Sequence, residues 1–292
     1  MKHLRQRLGG RAAGDPRGRG EDDGLPLERL LMPVRPRVLG FSSGSGVGGG
    51  ERLGVIERRY GQECGTLRQV IVMQPVLEIN TPEGFGLWPV AATEPFAFLP
   101  LNGELSPAEV GTAMMRIVDC NDIEPDGDRP PRPTDPLESF LHGLLTFDHL
   151  YAAGGLRVTD HSTGVTFLPG CCDGLEDWRD WHVFIDAGGL LGFGHEPVSP
   201  AAERFGDTVR LTVNAEQTGS PVIELPVTEL RHLLAGAERD LTAFLTLTTD
   251  WVRQQMPEHS EPVIAALARV LDLPAPALQP NPQDSRRDGR TR

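Results

Sequence analysis

One stretch, Phe167 to Glu196, constrains what this chain can fold into more than any other. It reads F-L-P-G-C-C-D-G-L-E-D-W-R-D-W-H-V-F-I-D-A-G-G-L-L-G-F-G-H-E. Two of the four cysteines, two of the four tryptophans and two of the eight histidines fall in it, so a site is sought here first. Val165 to Leu168 is short, apolar and β-branched at its start, which suits a strand. Pro169 and Gly170 stop it. Asp173 is placed as a helix N-cap, with Glu176 three residues later completing a capping box. Leu175, Trp178, Trp181, His182, Phe184 and Ile185 recur at spacings of three and four, the mark of a helix with one apolar, aromatic side. Glu176, Asp177, Arg179 and Asp180 fall largely on the other side. Gly188 and Gly189 accept the left-handed backbone that ends a helix, and Leu190 to Phe193 is the next strand.

Cys171 and Cys172 precede the expected cap, where the positive end of a helix dipole lowers a thiol pKa. They are the candidate nucleophiles, with Asp160, His161, His182 and His195 as candidate bases or ligands. Free cysteines also fill tight turns as small buried residues, and a histidine on an apolar face is commonly a core residue with one hydrogen bond. Adjacent cysteines are poor ligands for one tetrahedral ion compared with C-x-x-C. No metal site and no cofactor is therefore expected. The alternative role for this stretch is recognition: Glu176, Asp177, Trp178, Asp180 and Trp181 put carboxylates beside aromatic rings, a combination that suits a protein interface.

Charge narrows the partners. Residues 1–59 hold twelve basic and seven acidic residues, a net of +5, and 279–292 hold four and two, a net of +2. The overall charge is −13, so 60–278 carries −20. A body this acidic excludes nucleic acid, whose phosphates need a basic face. It fits a basic protein partner, since complementary charge speeds encounter. Lys2 is the single lysine and every other cation is arginine. No apolar run reaches the ~20 residues of a membrane span, and no hydrophobic segment follows the basic N-terminus. Cysteines at 64, 120, 171 and 172 are too few and too irregular for a disulfide scaffold. A cytoplasmic protein with reduced thiols is expected.

Residues 1–66 are rich in arginine and glycine and cannot bury enough apolar surface to offset their ordering entropy, so they are expected to be disordered. Initiation at Met32 or Met73 in place of Met1 is an alternative. Gly40–Gly44 fits G-x-S-x-G and Gly44–Gly49 fits G-x-G-x-x-G, but both overlap in one Gly/Ser run, which low complexity produces by chance. Residues 67–273 read as a single α+β domain: an antiparallel sheet with helices on one face. Leu67 to Ile79 is its first strand. Ser106-Pro107-Ala108-Glu109 starts a helix by capping box and N1 proline, and Asp135-Pro136-Leu137-Glu138 repeats that logic for a helix ending near Ala153. Leu156–Thr159 and Val165–Leu168 form a hairpin across D-H-S-T-G. Pro197 to Gly206 is a loop, Thr208–Val213 and Val222–Leu225 are strands, and Thr228 caps a long helix over 229–255. A last helix covers 262–271, and 274–292 is a disordered tail.

The run L-P-G-C-C-D-G-L-E-D-W-R-D-W, with the later F-G-H-E-P and F-G-D-T-V-R-L, resembles an uncharacterised family of proteins from GC-rich soil bacteria, over about 135–250. That resemblance implies no activity. More loosely, the acidic α+β composition with a tryptophan-bearing helix is similar to bacterial immunity proteins that cap toxins, which implies protein binding. With no catalytic constellation legible, a binding role, immunity-like or regulatory, is expected ahead of a cysteine- or metal-dependent enzyme centred on Cys171 or Cys172 with His182 or His195.

Overall fold

A computed structural model describes residues 70–276, apart from 83, 124–129, 171–173 and 195–197. All of these belong to one compact unit, Glu63–Arg292, and the chain is α+β. The glycine-rich motif matches at 40–49 and the segments expected to be disordered lie outside the described residues, except for 274–276 at the start of the C-terminal tail.

Two four-stranded antiparallel sheets replace the single sheet expected from sequence. The first runs β2-β1-β3-β4, with β1 at Ile71–Ile79, β2 at Ala97–Pro100, β3 at Gly154–Asp160 and β4 at Val165–Phe167. Pro75 sits inside β1, where a missing N–H would normally break a ladder. It is tolerated because it lies where β2 ends: the last register pair is Val76↔Pro100, and the Pro75 carbonyl still accepts from Leu101 N–H at 2.9 Å, so the missing N–H costs one bond at the end of the ladder. The second sheet runs β5-β6-β7-β8: β5 at Leu190–Gly192, β6 at Ala201–Phe205, β7 at Thr208–Thr212 and β8 at Val222–Pro226. β6 corrects the loop expected over 197–206. Its sequence, A-A-E-R-F, has one aromatic and no β-branched residue, and it is a strand because both neighbours pair with it.

Helix starts follow the local chemistry. In α1, Pro107–Asp119, the Ser106 hydroxyl accepts from the Glu109 N–H and the Glu109 carboxylate accepts from the Ser106 N–H at 2.8 Å. In α2, Pro136–Thr146, one Asp135 oxygen accepts from Leu137 and Glu138 N–H, both at 3.0 Å. The expected extension of α2 to Ala153 does not form. Buried Asn121, just beyond α1, accepts from Tyr151 N–H at 3.0 Å and donates to Tyr151 O at 2.8 Å, which holds that segment extended.

The long helix α4, Val227–Gln255, begins without a side-chain cap, so the cap assigned to Thr228 is also corrected. At about 1.5 Å per residue it is long enough, ~43 Å, to pack on β1 of one sheet and β7 and β8 of the other. Its buried residues, Leu230, Leu234, Ala237, Leu241, Phe244, Leu245, Thr248 and Val252 among them, follow the helical period. α5, Ser260–Val270, closes the core against α4 and α2 after a 3₁₀ turn at Pro257–His259.

Candidate binding pocket at the tryptophan turn

Pro169, Gly170 and the chain from Gly174 to Phe193 lie between the last strand of the first sheet and the end of β5 in the second. Gly170 lies directly against Phe193: a Cβ built there would stand 1.3 Å from the Phe193 carbonyl oxygen, so only glycine fits. Gly174 bridges Ala153, at the start of β3, and Leu175 N–H donates to Ala152 O at 2.9 Å. The single helix expected over this stretch is split into a 3₁₀ turn, Leu175–Asp177, and a short α3, Asp180–Ala187.

The split has a cause in what the intervening side chains reach. Trp178 donates its indole N–H to Leu271 O at 2.8 Å. Arg179 lies 4.3 Å over the Trp178 ring, pairs with Glu238 at 2.9 Å and Asp272 at 3.1 Å, and donates to Asp272 O at 3.1 Å. The two residues thus clasp the end of α5 and the flank of α4. Trp181 stacks on Phe193, with centroids 5.0 Å apart and planes at 25°, and meets Phe167 and Phe184 edge-on.

These contacts correct the orientation expected of the aromatics. Trp178 and Trp181 are only 2% and 3% exposed. Glu176 also turns inward. Its carboxylate accepts from Ala152 N–H at 3.0 Å, and burial raises its pKa against the opposing pull of that hydrogen bond. The Glu176 carboxylate is an anchor onto the approach to β3, and its expected capping-box partner, Asp173, lies outside the described residues. Of the five residues expected to face a partner, Asp177 and Asp180 are exposed.

Those two residues line a pocket of about 120 Å³, together with Trp178, Trp181, Leu191 and Phe193. Drug-sized ligands occupy about 300–1,000 Å³, so this space matches a single side-chain head group. Among the described residues neither carboxylate has an ion-pair partner. Burial raises the Asp180 pKa, and the like charge of Asp177 raises it further. Leu191 and Phe193 were legible only as strand residues. Their part in the pocket follows from the contact between Gly170 and Phe193, which no local pattern announces.

A larger groove of about 570 Å³ runs past Phe85, Phe140, Asp119, Asp122 and Arg132. Its charges are already matched. Arg132 pairs with Asp122 and donates to Ser139 O and Ile123 O at 3.2 Å, and Asp119 pairs with Arg116 at 2.8 Å. At the smaller pocket, Asp177 and Asp180 have no ion-pair partner among the described residues.

Cys171, Cys172 and His195 lie outside the described residues. The other candidate bases do not converge. Asp160 is 2% exposed, and its carboxylate accepts from Ser162 N–H and hydroxyl and from the Thr163 hydroxyl, which makes it the keystone of the β3–β4 turn. His161 is exposed in that turn. His182 is half-buried, packs edge-on against Trp178 at 5.7 Å and has no hydrogen-bond partner at its buried Nε2. Among the described residues no three His, Cys, Asp or Glu side chains gather as a metal site, and no helix is long and apolar enough to cross a membrane. Cys120, behind the tryptophan turn, has its thiol pKa raised by burial, and Tyr151 is pushed up to about 12, chiefly by burial. No protein-family model, curated protein or solved structure matches the chain.

Proposed function

We propose that this is a binding protein that holds a basic protein partner by one of its cationic side chains, seated in the pocket between Asp177 and Asp180. The observation that carries the reading is that the exposed acidic residues Asp177 and Asp180 both line one small pocket, and neither has an ion-pair partner among the described residues. Two like charges set three residues apart on one turn repel each other, and partial burial adds a desolvation cost to the charged form of Asp180. A cation between them relieves both terms. The surrounding −20 body supplies long-range attraction for a basic partner, and the pocket supplies the local contact.

The test is calorimetric titration of the full chain with a basic decapeptide containing both lysine and arginine, at low and moderate salt. The Asp177→Asn/Asp180→Asn variant is expected to lose about tenfold or more in affinity. A control that removes the same charge elsewhere, Glu258→Gln/Glu261→Gln on the exposed surface, is expected to lose far less. Equal losses in the two variants would reduce the interaction to overall charge and remove the pocket from it.

A further inference from the structure

On grounds separate from the basic-partner reading, we infer that the free edge of β5 pairs with the same edge of a second copy of this chain. The pairing joins two four-stranded sheets into one continuous sheet across a two-fold axis.

Among the described residues, β5 has β6 on one side and no strand on the other. The direction of its backbone follows from the bonds at its two ends. Arg204 N–H donates to Gly189 O at 3.2 Å, and Phe193 N–H donates to Pro200 O at 3.0 Å. In an antiparallel ladder, residues bonded to the neighbouring strand alternate with residues that are not, so Gly189, Leu191 and Phe193 face β6. Leu190 and Gly192, opposite Glu203 and Ala201, turn their N–H and C=O groups away from it. Both residues are exposed, and those groups form no hydrogen bond among the described residues.

Nothing in the strand guards this edge. Native proteins blunt an exposed edge with charged side chains, proline or a covering element. Residues 187–194 read A-G-G-L-L-G-F-G, without a charge or a proline. Leu190 is 70% exposed, more than any other large apolar residue among those described. The acidic residue just before the run, Asp186, is paired with Arg231 at 2.7 Å. Glu203, beside Leu190 on β6, lies opposite Arg210 on β7. Two copies with strongly acidic bodies can therefore meet here without setting bare carboxylates against each other.

The occupant is a second copy because the edge complements itself. In an antiparallel pair centred on Leu191, Leu190 of each copy lies opposite Gly192 of the other. The outward N–H and C=O groups of one residue then meet those of the other, and both residues are satisfied. The side chains match as well. Leu190 and Gly192 lie on the same face of the strand, and a Cβ built on Gly192 meets nothing within 4 Å. The leucine of each copy enters the open space at the glycine of the other. A register shifted by two residues sets leucine against leucine or glycine against glycine and loses that match. A strand from another protein would find the backbone groups but not the reciprocal leucine and glycine. The paired strand is only 3 residues long and buries far less than the ~800 Å² per partner of standard complexes, so the dimer is expected to be weak.

Sedimentation equilibrium of the full chain, from about 5 µM to about 500 µM, is expected to show monomer passing into dimer. Amide hydrogen exchange read by NMR over the same range locates the contact. The N–H groups of Leu190 and Gly192 are expected to gain protection with concentration, while that of Leu191, already turned to β6, stays unchanged. Gly192→Val fills the space that the leucine of the second copy needs, and Leu190→Lys sets a charge on the edge. Each is expected to weaken the dimer about tenfold or more, with the circular dichroism of the monomer unchanged. The double variant Leu190→Gly/Gly192→Val exchanges the two sizes and is expected to dimerise more tightly than Gly192→Val alone; no such rescue would overturn the register. A chain that stays monomeric at the top of the range would overturn the second-copy assignment. A dimer equally strong in both single variants would place the contact elsewhere and overturn it too. Protection of Leu190 and Gly192 that appears only when the basic decapeptide is added would give the edge to an extended partner strand, with the same consequence.

Discussion

Replacing Trp178 with phenylalanine tests the view that the tryptophan turn is first a structural clasp. Trp178 is 2% exposed and its indole N–H is the donor to the carbonyl of Leu271, itself fully buried. Phenylalanine keeps an aromatic ring beneath Arg179 but leaves that carbonyl without its donor inside the core. A buried acceptor stripped of its partner costs about 1–3 kcal/mol. The smaller ring also gives up apolar burial worth about 1 kcal/mol. Together Trp178→Phe is expected to cost about 2–4 kcal/mol, which for a domain of this size lowers Tm by about 5–15 °C. Urea unfolding followed by circular dichroism should show the midpoint falling with the slope unchanged. Trp181→Phe is the control: its contacts among the described residues are ring packing, so it should cost only about 1 kcal/mol. A loss below about 0.5 kcal/mol for Trp178→Phe, the range of surface substitutions, would refute the clasp.

Two further outcomes follow from the same junction. The Glu176 carboxyl is raised by burial above its ordinary value of 4.5, so the folded state holds its proton to higher pH than the unfolded chain does. Its contribution to stability is therefore full below the unfolded pKa and is lost as pH rises through the folded one. Glu176→Gln keeps an acceptor for Ala152 N–H and removes the charge, so urea midpoints should rise at neutral pH and vary less between pH 4.5 and 7.5; parallel profiles for both proteins would contradict this. Gly170→Ala sets a methyl 1.3 Å from the Phe193 carbonyl oxygen and should cost about 3 kcal/mol or more, whereas Gly164→Ala, at φ 75° with open space around it, should cost only the ~1–2 kcal/mol of left-handed backbone. Similar thermal shifts for the two glycine variants would contradict the close approach at Gly170.

Much of the local structure was legible before any fold was known. The starts of α1 and α2 are written in Ser106 with Glu109 and in Asp135, because a cap is decided by atoms within three residues of one another. The β3–β4 hairpin is written in the Asp160-to-Gly164 turn, and the apolar stripe of α4 in its 3.6-residue period. The net negative charge is likewise a property of composition.

What composition and period left open was where the tryptophans point. The periodicity of Trp178 and Trp181 says that they share a face with other apolar residues, not what that face meets. Trp178 finds its acceptor 93 residues downstream, Arg179 finds Glu238 59 residues downstream, and β6 becomes a strand only because its neighbours pair with it. Sequence by itself determined the elements whose stabilising contacts lie within a turn or a hairpin. Tertiary structure decided which side of the tryptophan turn is core and which is surface. Burying the indoles against α5 and the end of β5 leaves Asp177 and Asp180 as the charged rim, since carboxylates with no ion-pair partner among the described residues do not follow the rings inside.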